Sequence, residues 1–138
     1  MMGNKKVDYK ATSEYIVKWI EKKAEEAGAK ALVVGLSGGI DSSLTAALCK
    51  KTRIPVVGVN MPCHSGKDSG NRAKILAKHL GIKFIEADLT EAFDKIEEQI
   101  QVLFDNNDHK KLAQGSFRSR MRTPCLLYTS PSPRDGLL

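Results

Sequence analysis

The sequence has few of the features that mark secreted, membrane-bound or metal-cluster proteins. Its 138 residues include only three cysteines, Cys49, Cys63 and Cys125, and none of them form a Cys-x-x-Cys pair. We therefore expect free thiols and a cytoplasmic location. No apolar run approaches the roughly 20 residues that cross a bilayer, and the first residues contain no signal-peptide core. We accordingly expect no membrane partner.

Basic residues are in excess, but they are not concentrated in one segment. Twenty-two Lys and Arg against 16 Asp and Glu give a formal net charge of +6. The lysines come largely as scattered pairs near acidic residues, at 5–6, 22–23, 50–51 and 110–111. Such pairs are typical of a solvated surface, so we expect no nucleic-acid partner. The excess charge also suits a small anionic substrate.

Helical patterns alternate along the chain with short, continuous apolar runs. Helices are predicted at 11–27, 42–51, 67–80 and 89–104, and strands at 31–36, 54–60 and 82–87. Apolar runs without alternation indicate strands that are covered on both faces. One helix followed by three strand–helix units predicts an α/β fold with a parallel sheet and right-handed crossovers. Thr12 or Ser13 is the expected N-cap of the first helix, and Gly28 is its expected end.

The segment GLSGGIDSS, residues 35–43, joins the first predicted strand to its helix. Ligands of parallel sheets bind at the carboxyl ends of strands. Glycines there let the main chain approach an anion, and the amides at the helix start face phosphates. Ser37, Ser42 and Ser43 add hydroxyl donors, and Asp41 places a carboxylate where a nucleotide's Mg²⁺ is expected. The alternative is a Gly-Ser-rich turn in which Asp41 merely caps the helix.

The segment has neither the Gly-Lys-Ser/Thr end of a Walker loop nor a G-x-G-x-x-G pattern. It resembles the Ser-Gly-Gly-x-Asp-Ser pyrophosphate loop of the N-type ATP pyrophosphatases. The resemblance implies a Rossmann-like, adenine nucleotide alpha hydrolase-like fold that cleaves ATP between its α- and β-phosphates. It also implies catalytic roles for Ser37 and Asp41, with Asp41 as the metal ligand. The implied ATP-binding residues are Gly35, Leu36, Ser37, Gly38, Gly39, Ile40, Asp41, Ser42, Ser43 and Met61.

Two further segments are similar to NAD synthetases within that superfamily. GVNMP, residues 58–62, is similar to their G-V-x-M-P segment, in which the main chain near Met61 would border the adenine. QGSFRSRMR, residues 114–122, is similar to their G-N-x-K-A-R-x-R-M segment, and this implies that Arg120 binds deamido-NAD. Ser116 and Arg118 depart from the family's asparagine and lysine. The alternative is an exposed basic strip, whose arginines would share a face if extended and splay apart on a helix.

The resemblance implies a homodimeric enzyme that uses ATP, Mg²⁺ and ammonia to convert deamido-NAD into NAD. Because the first predicted helix starts about ten residues into the chain, we expect no preceding glutaminase domain and hence ammonia as the nitrogen donor. The alternative is a glutaminase on a separate chain. Two rivals remain open. One is another N-type ATP pyrophosphatase, either GMP synthetase-like or a tRNA-thiolating enzyme that would use a cysteine such as Cys63. The other is a non-catalytic ATP-binding module of the universal-stress type.

The last stretch, residues 125–138, has two of the chain's five prolines and no helical period. Its run CLLYTSPSPRD is similar to the translation of a sequencing-library adapter. We therefore predict a partial catalytic domain over 1–124 and a non-native, disordered tail over 125–138. The family's later metal ligand, threonine and lysine would then be missing, so we expect that the chain alone does not turn over.

Overall fold

The predicted alternation of helices and strands is confirmed by the computed structural model of the protein, which describes residues 7–100 and 110–129. The elements are α1 Tyr9–Glu26, β1 Leu32–Gly35, α2 Ile40–Lys51, β2 Val56–Asn60, α3 Lys67–Leu80, β3 Lys83–Glu86, α4 Thr90–Ile100 and α5 Lys110–Thr129. None of the helices in this described part is long and apolar enough to cross a membrane.

The three strands form one parallel sheet in the order β1-β2-β3. In register, Gly35 at the end of β1 lies beside Val59, and Asn60 at the end of β2 lies beside Glu86. The carboxyl ends of all three strands therefore meet at one edge. Residues that follow the strands are brought together there, as the predicted topology requires.

Apolar side chains pack on both faces of the sheet. One buried cluster joins Val34 of β1 to Ala46 of α2 and Ala73 of α3, and Ile20 of α1 packs against it. The other cluster contains Phe93 of α4, with α5 packed against it. Because helices cover both faces, the strands are apolar on both sides. This explains why their sequences do not alternate.

The ends of α1 differ in how well the sequence predicts them. Neither Thr12 nor Ser13 is the N-cap, because Asp8 accepts hydrogen bonds from the amides of Lys10 and Ala11 at 3.0 Å. Thr12 instead donates its hydroxyl to the carbonyl of Asp8, one turn back. The predicted stop at Gly28 is confirmed by its φ of +63°, a conformation that favours glycine.

The helix α5 crosses the boundary that we expected at residue 124. It continues through Pro124 to Thr129, so the expectation of a disordered segment is wrong for residues 125–129. Cys125 and Leu126 are half-buried and pack against the buried cluster that contains Met61 and Phe93. This packing stabilises the turn despite the proline. That residues 125–138 are a non-native, adapter-derived tail stays a prediction. Residues 101–109 and 130–138 lie outside the described part.

Candidate nucleotide site

A short loop carries the chain from β1 into α2. Leu36 is 2% exposed and donates its amide to the carbonyl of Val59 at 2.7 Å, which anchors the loop to the end of β2. The helix α2 then begins at Ile40, with Gly39 as an N-cap that has no side-chain hydrogen bond to offer. The first amides of a helix have no partner within the helix, so they are available to an anion at this edge of the sheet.

Serine hydroxyls hold the loop in shape. The amide of Ser37 donates to Ser42 Oγ at 3.2 Å, and the amide of Gly39 donates to Ser37 Oγ at 3.2 Å. Ser42 and Ser43 donate their hydroxyls to the carbonyl of Gly39 at 3.2 and 2.7 Å. The serines that we predicted to be phosphate donors thus also order the main chain around the predicted phosphate position. An arriving phosphate would have to exchange some of these contacts.

Gly38 lies where the loop touches the start of α3. Its φ is +78°, and a Cβ at this position would lie 2.4 Å from the carbonyl oxygen of Ser69. Arg72 donates its Nε to the carbonyl of Gly38 at 3.2 Å. Glycine is therefore required here by both conformation and space. The loop is fixed from three sides, by β2, α2 and α3.

Asp41 lies in the first turn of α2 and is exposed. Within residues 7–100 and 110–129, no three His, Cys, Asp or Glu residues are grouped so that they could hold a metal ion. A single carboxylate nevertheless fits Mg²⁺, which usually keeps waters and substrate phosphates as its other ligands. Asp41 thus suits an ion that arrives with the nucleotide rather than one that is held permanently by protein.

A cavity of about 320 Å³ opens between the loop and the end of β2. Its lining consists of Gly35, Leu36, Ser37, Asn60, Met61, Pro62, Ser65, Ser69, Arg122 and Leu126. Four of the predicted ATP-binding residues, Gly35, Leu36, Ser37 and Met61, are among them. Arg122 of α5 donates its Nε to the carbonyl of Met61 at 3.0 Å, which closes one wall of the cavity.

Asn60 is a candidate site residue that the sequence analysis did not identify. It is 4% exposed and donates its Nδ2 to the carbonyl of Leu36 at 2.6 Å, so it ties the end of β2 to the loop. The motif G-V-x-M-P leaves this position undefined. A usable signal was present, because a polar side chain at the carboxyl end of a buried strand faces the ligand edge of a parallel sheet.

The three arginines of residues 114–122 do not share a face, because the segment is helical. Arg118 stacks over the ring of Phe93, with its guanidinium carbon 5.2 Å from the centroid. Arg122 reaches Met61 and lines the cavity. Arg120 is exposed and contacts Ser116 of the preceding turn. The role that we assigned to Arg120 in substrate binding therefore stays a prediction, and Arg122 is the arginine that touches the cavity.

Cys63 is close to the cavity but is badly suited to nucleophilic chemistry. It is 2% exposed, and burial raises the pKa of its thiol, although the nearby Arg122 and Arg118 partly oppose the effect. Only the thiolate attacks in thiol transfer, so a buried and protonated thiol is inert. This environment counts against the tRNA-thiolating alternative.

These features together define an α/β protein with a candidate nucleotide site at the carboxyl ends of its parallel strands. The sequence profile of the NAD synthase family matches residues 12–137. The chain therefore belongs to the NAD synthase family.

Individual relatives agree with this assignment. The chain is 35% identical over 127 residues to an NH(3)-dependent NAD(+) synthetase of Carboxydothermus hydrogenoformans, which covers 89% of this chain and 51% of the relative. It is 40% identical over 116 residues to the enzyme of the same name from Methanocaldococcus jannaschii, with 82% and 44% covered. The chain thus spans about half the length of the curated relatives that it matches.

Solved structures show the same fold. An NH3-dependent NAD synthetase from Campylobacter jejuni matches with a TM-score of 0.79 at 28% identity, over 91% of this chain and 53% of that one. An NMN synthetase from Francisella tularensis matches with a TM-score of 0.83 at 25% identity, over 91% and 51%. The predicted Rossmann-like fold class is confirmed.

Proposed function

We propose that this chain supplies the ATP-binding part of an enzyme that amidates deamido-NAD with ammonia. The products are NAD, AMP and pyrophosphate. The observation that carries the proposal is the Ser-Gly-Gly-Ile-Asp-Ser loop at the carboxyl end of β1, pinned between β2, α2 and α3, in a chain of the NAD synthase family.

The chemistry requires activation because a carboxylate has no good leaving group. In the first step, an oxygen of the nicotinate carboxylate forms a bond to the α-phosphorus of ATP. The bond from that phosphorus to the bridging oxygen breaks, and pyrophosphate departs with the electron pair. In the second step, the nitrogen of ammonia attacks the acyl carbon. The bond from that carbon to the AMP oxygen breaks, AMP departs with its electron pair, and the nitrogen loses a proton to solvent.

Residues 35–43 would bind the phosphates. The amides of Gly38, Gly39 and Ile40, together with the hydroxyls of Ser37, Ser42 and Ser43, are the donors at the phosphate position. They would stabilise the negative charge that moves onto the departing pyrophosphate. We assign Asp41 to bind Mg²⁺, which supplies further charge neutralisation on the phosphates when bound. Ser37 lies at the point where the loop meets the cavity, closest to the reacting phosphate in this proposal.

The remaining contacts orient the two substrates. The main chain around Met61 would border the adenine, with Arg122 holding the carbonyl of Met61 in place. Arg120, exposed on α5, would bind deamido-NAD through its planar and permanently charged guanidinium. We also propose a homodimer in the cytoplasm. Large exposed apolar side chains such as Tyr15 (70%), Trp19 (52%) and Ile40 (80%) give the chain surface to bury in an assembly.

A second candidate is the same amidation on the mononucleotide, giving NMN. The likeness to the Francisella tularensis NMN synthetase favours it. Both reactions use the same ATP site, so they differ only in the second substrate. The functional test must therefore include both substrates.

Activity is best tested in a chimera that joins residues 1–124 to the remaining part of the Carboxydothermus relative. We expect pyrophosphate release that requires deamido-NAD and ammonium together. Asp41→Asn should lower that rate by about two orders of magnitude, because the charge balance on the phosphates is lost. Glu98→Gln, on the exposed side of α4, is the matched control.

Three results would contradict the proposal. Pyrophosphate release that is indifferent to Asp41→Asn would remove the metal assignment. A faster reaction with the deamidated mononucleotide would transfer the assignment to the second candidate. ATP binding without any pyrophosphate release would favour the non-catalytic module.

A further inference from the structure

One face of α3 touches the loop after β1 at two points. Gly38 packs so closely on the main chain of Ser69 that a Cβ would lie 2.4 Å from the Ser69 carbonyl oxygen. Arg72, three residues further along α3, donates its Nε to the carbonyl of Gly38 at 3.2 Å. Residues that are three apart lie on the same side of a helix. The helix α3 therefore sets both the position of Gly38 and the direction of its carbonyl.

The contact with Arg72 orients the peptide that joins Gly38 to Gly39. A peptide is planar and trans, so its N–H points away from its C=O. Because the carbonyl of Gly38 is held toward α3, the amide of Gly39 points to the other side of the loop, where it donates to Ser37 Oγ at 3.2 Å. Ser37 lines the cavity between the loop and the end of β2. The amide of Gly39 is thus presented on the side where the phosphates are expected.

This peptide has little preferred orientation of its own. Neither Gly38 nor Gly39 has a Cβ, so rotation of the peptide between them meets few steric barriers. A rotated peptide would turn a carbonyl oxygen toward the phosphates, and the two would repel each other. Residues 35–43 contain no Lys or Arg that could hold the phosphates by charge instead. The loop therefore depends on the direction of its amides.

We propose that Arg72 is a positioning residue for ATP, which holds the peptide between Gly38 and Gly39 with its amide toward the phosphates. The loop motif covers residues 35–43 and assigns no role to α3. Arg72 is exposed, so the side chain is not needed to fill the core. The inference rests on the proposed function, since the ligand is the ATP of that reaction.

The first test examines the 138-residue chain by NMR without a ligand. Arg72→Met removes the donor and should shift the Gly38 carbonyl carbon and the Gly39 amide nitrogen, because both atoms belong to the released peptide. Arg72→Gln should restore both signals, since its Nε2 is as many bonds from the main chain as the Nε of arginine and is also a donor. Lys78→Met, at an exposed cation of the same helix, is the matched control and should leave both signals unchanged.

The second test compares ATP, in the presence of Mg²⁺, with adenosine by isothermal titration calorimetry. Arg72→Met should weaken ATP binding about fivefold, as expected for the loss of one well-directed hydrogen bond to a charged group. Its affinity for adenosine should stay within about twofold of wild type, because adenosine has no phosphates. Arg72→Gln should recover most of the ATP affinity. An arginine that only stabilised the fold would not separate the two ligands.

The outcomes distinguish this inference from the proposed function. Unmoved Gly38 and Gly39 signals in Arg72→Met, equal losses for ATP and adenosine, or equal losses in Arg72→Met and Arg72→Gln each overturn the positioning role. If Arg72→Met binds ATP as wild type does, the proposed function stands and this inference fails. A wild-type chain that shows the expected signals but does not bind ATP contradicts the proposed function itself.

A measurement on wild type covers the case in which Arg72→Met does not fold, which circular dichroism would reveal. The Nε–H of Arg72 should exchange with solvent more slowly than the Nε–H of an arginine in an unfolded chain, because it is hydrogen-bonded to Gly38. Exchange at the rate of the unfolded chain would overturn the proposal.

Discussion

The loop after β1 and the basic segment of α5 contribute to the site in opposite ways. In the proposed ATP site, the loop would act through its main chain, which is held by serine hydroxyls within a few residues and by contacts with β2 and α3. The α5 segment would act through its side chains, whose directions depend on what the helix packs against. The conformation of the loop can be predicted largely from its own sequence, whereas the directions of the α5 side chains depend on the tertiary structure.

The loop and α5 are also held in place by different parts of the protein. Gly38 is bound by Arg72 and touched by Ser69, so α3 holds the loop from outside. The helix α5 is held mainly through the cluster around Phe93, whose ring lies 5.3 Å from that of Phe117 and carries Arg118 on its face. The loop should therefore survive changes that loosen α5, and the converse should also hold.

The largest effect on α5 is expected from Phe93→Ala. Phe93 is 1% exposed, and its truncation should lower the free energy of unfolding by about 3–5 kcal/mol. Urea unfolding followed by circular dichroism measures the loss. Ile96→Ala on the same helix, at a side chain that is 40% exposed, is the control and should cost about 1 kcal/mol or less. Equal losses for the two variants would mean that α4 and α5 are not joined through Phe93.

The loop is tested by Gly38→Ala, with Gly28→Ala as its matched control. Both glycines have positive φ, but a Cβ at Gly28 meets nothing within 4 Å, whereas one at Gly38 meets the Ser69 carbonyl. We expect a loss of about 1–2 kcal/mol for Gly28→Ala from conformation alone and about 3 kcal/mol for Gly38→Ala. Chemical denaturation measures both. If the two losses agree, α3 does not press on the loop.

The arginines of α5 can be ranked by ATP affinity. Arg122→Gln removes the hydrogen bond to the Met61 carbonyl and a wall of the cavity between the loop and β2, so we expect ATP binding about tenfold weaker. Arg120→Gln should leave ATP affinity within about twofold, because this side chain contacts only its own helix among the described residues. Isothermal titration calorimetry measures both constants. A larger loss of ATP affinity for Arg120→Gln than for Arg122→Gln would contradict the placement of ATP in this cavity.

The smallest effect concerns pH and the start of α4. The hydroxyl and amide of Thr90 donate to Asp88 and lower the pKa of its carboxyl below the usual 3.8. The resulting stability is therefore complete above the usual carboxyl pKa and is lost as the pH falls through the lowered one. Between pH 7 and pH 3, wild type should lose more unfolding free energy than Asp88→Asn. Identical pH profiles for the two proteins would contradict this assignment.

Much of the architecture follows from local pattern. The bounds of α3 are predicted at 67–80 and observed as Lys67–Leu80, since an apolar stripe and a left-handed Gly81 define its course. The strands are shorter than predicted because apolar residues continue beyond the sheet hydrogen bonds, as at Ile54, which precedes β2. The cap at Asp8 was missed because the helix begins before its apolar stripe does.

The candidate site also combines features that follow from the local sequence with contacts that depend on tertiary packing. The positive φ of Gly38 belongs to its own loop, and the sequence predicted a conformational role for this glycine. The contacts of Gly38 with Ser69 and Arg72 of α3 were not predicted. The contacts of Asn60 with Leu36 and of Arg122 with Met61 join residues that are 24 and 61 positions apart. The motif marks both neighbourhoods but not these contacts, because they depend on how β2 and α5 pack against the loop. The helical turn beyond Pro124 likewise depends on packing and not on helix propensity.

The central claim is that the main chain after β1 wraps the phosphates of ATP. It is tested most directly by ¹H–¹⁵N NMR of the 138-residue chain as ATP is added, with and without Mg²⁺. We predict that the largest shifts fall on the amides of residues 37–43, and that Asp41→Asn removes the effect of Mg²⁺ but not the ATP-induced shifts. If the amides of this loop do not move while other residues respond to ATP, the account is contradicted.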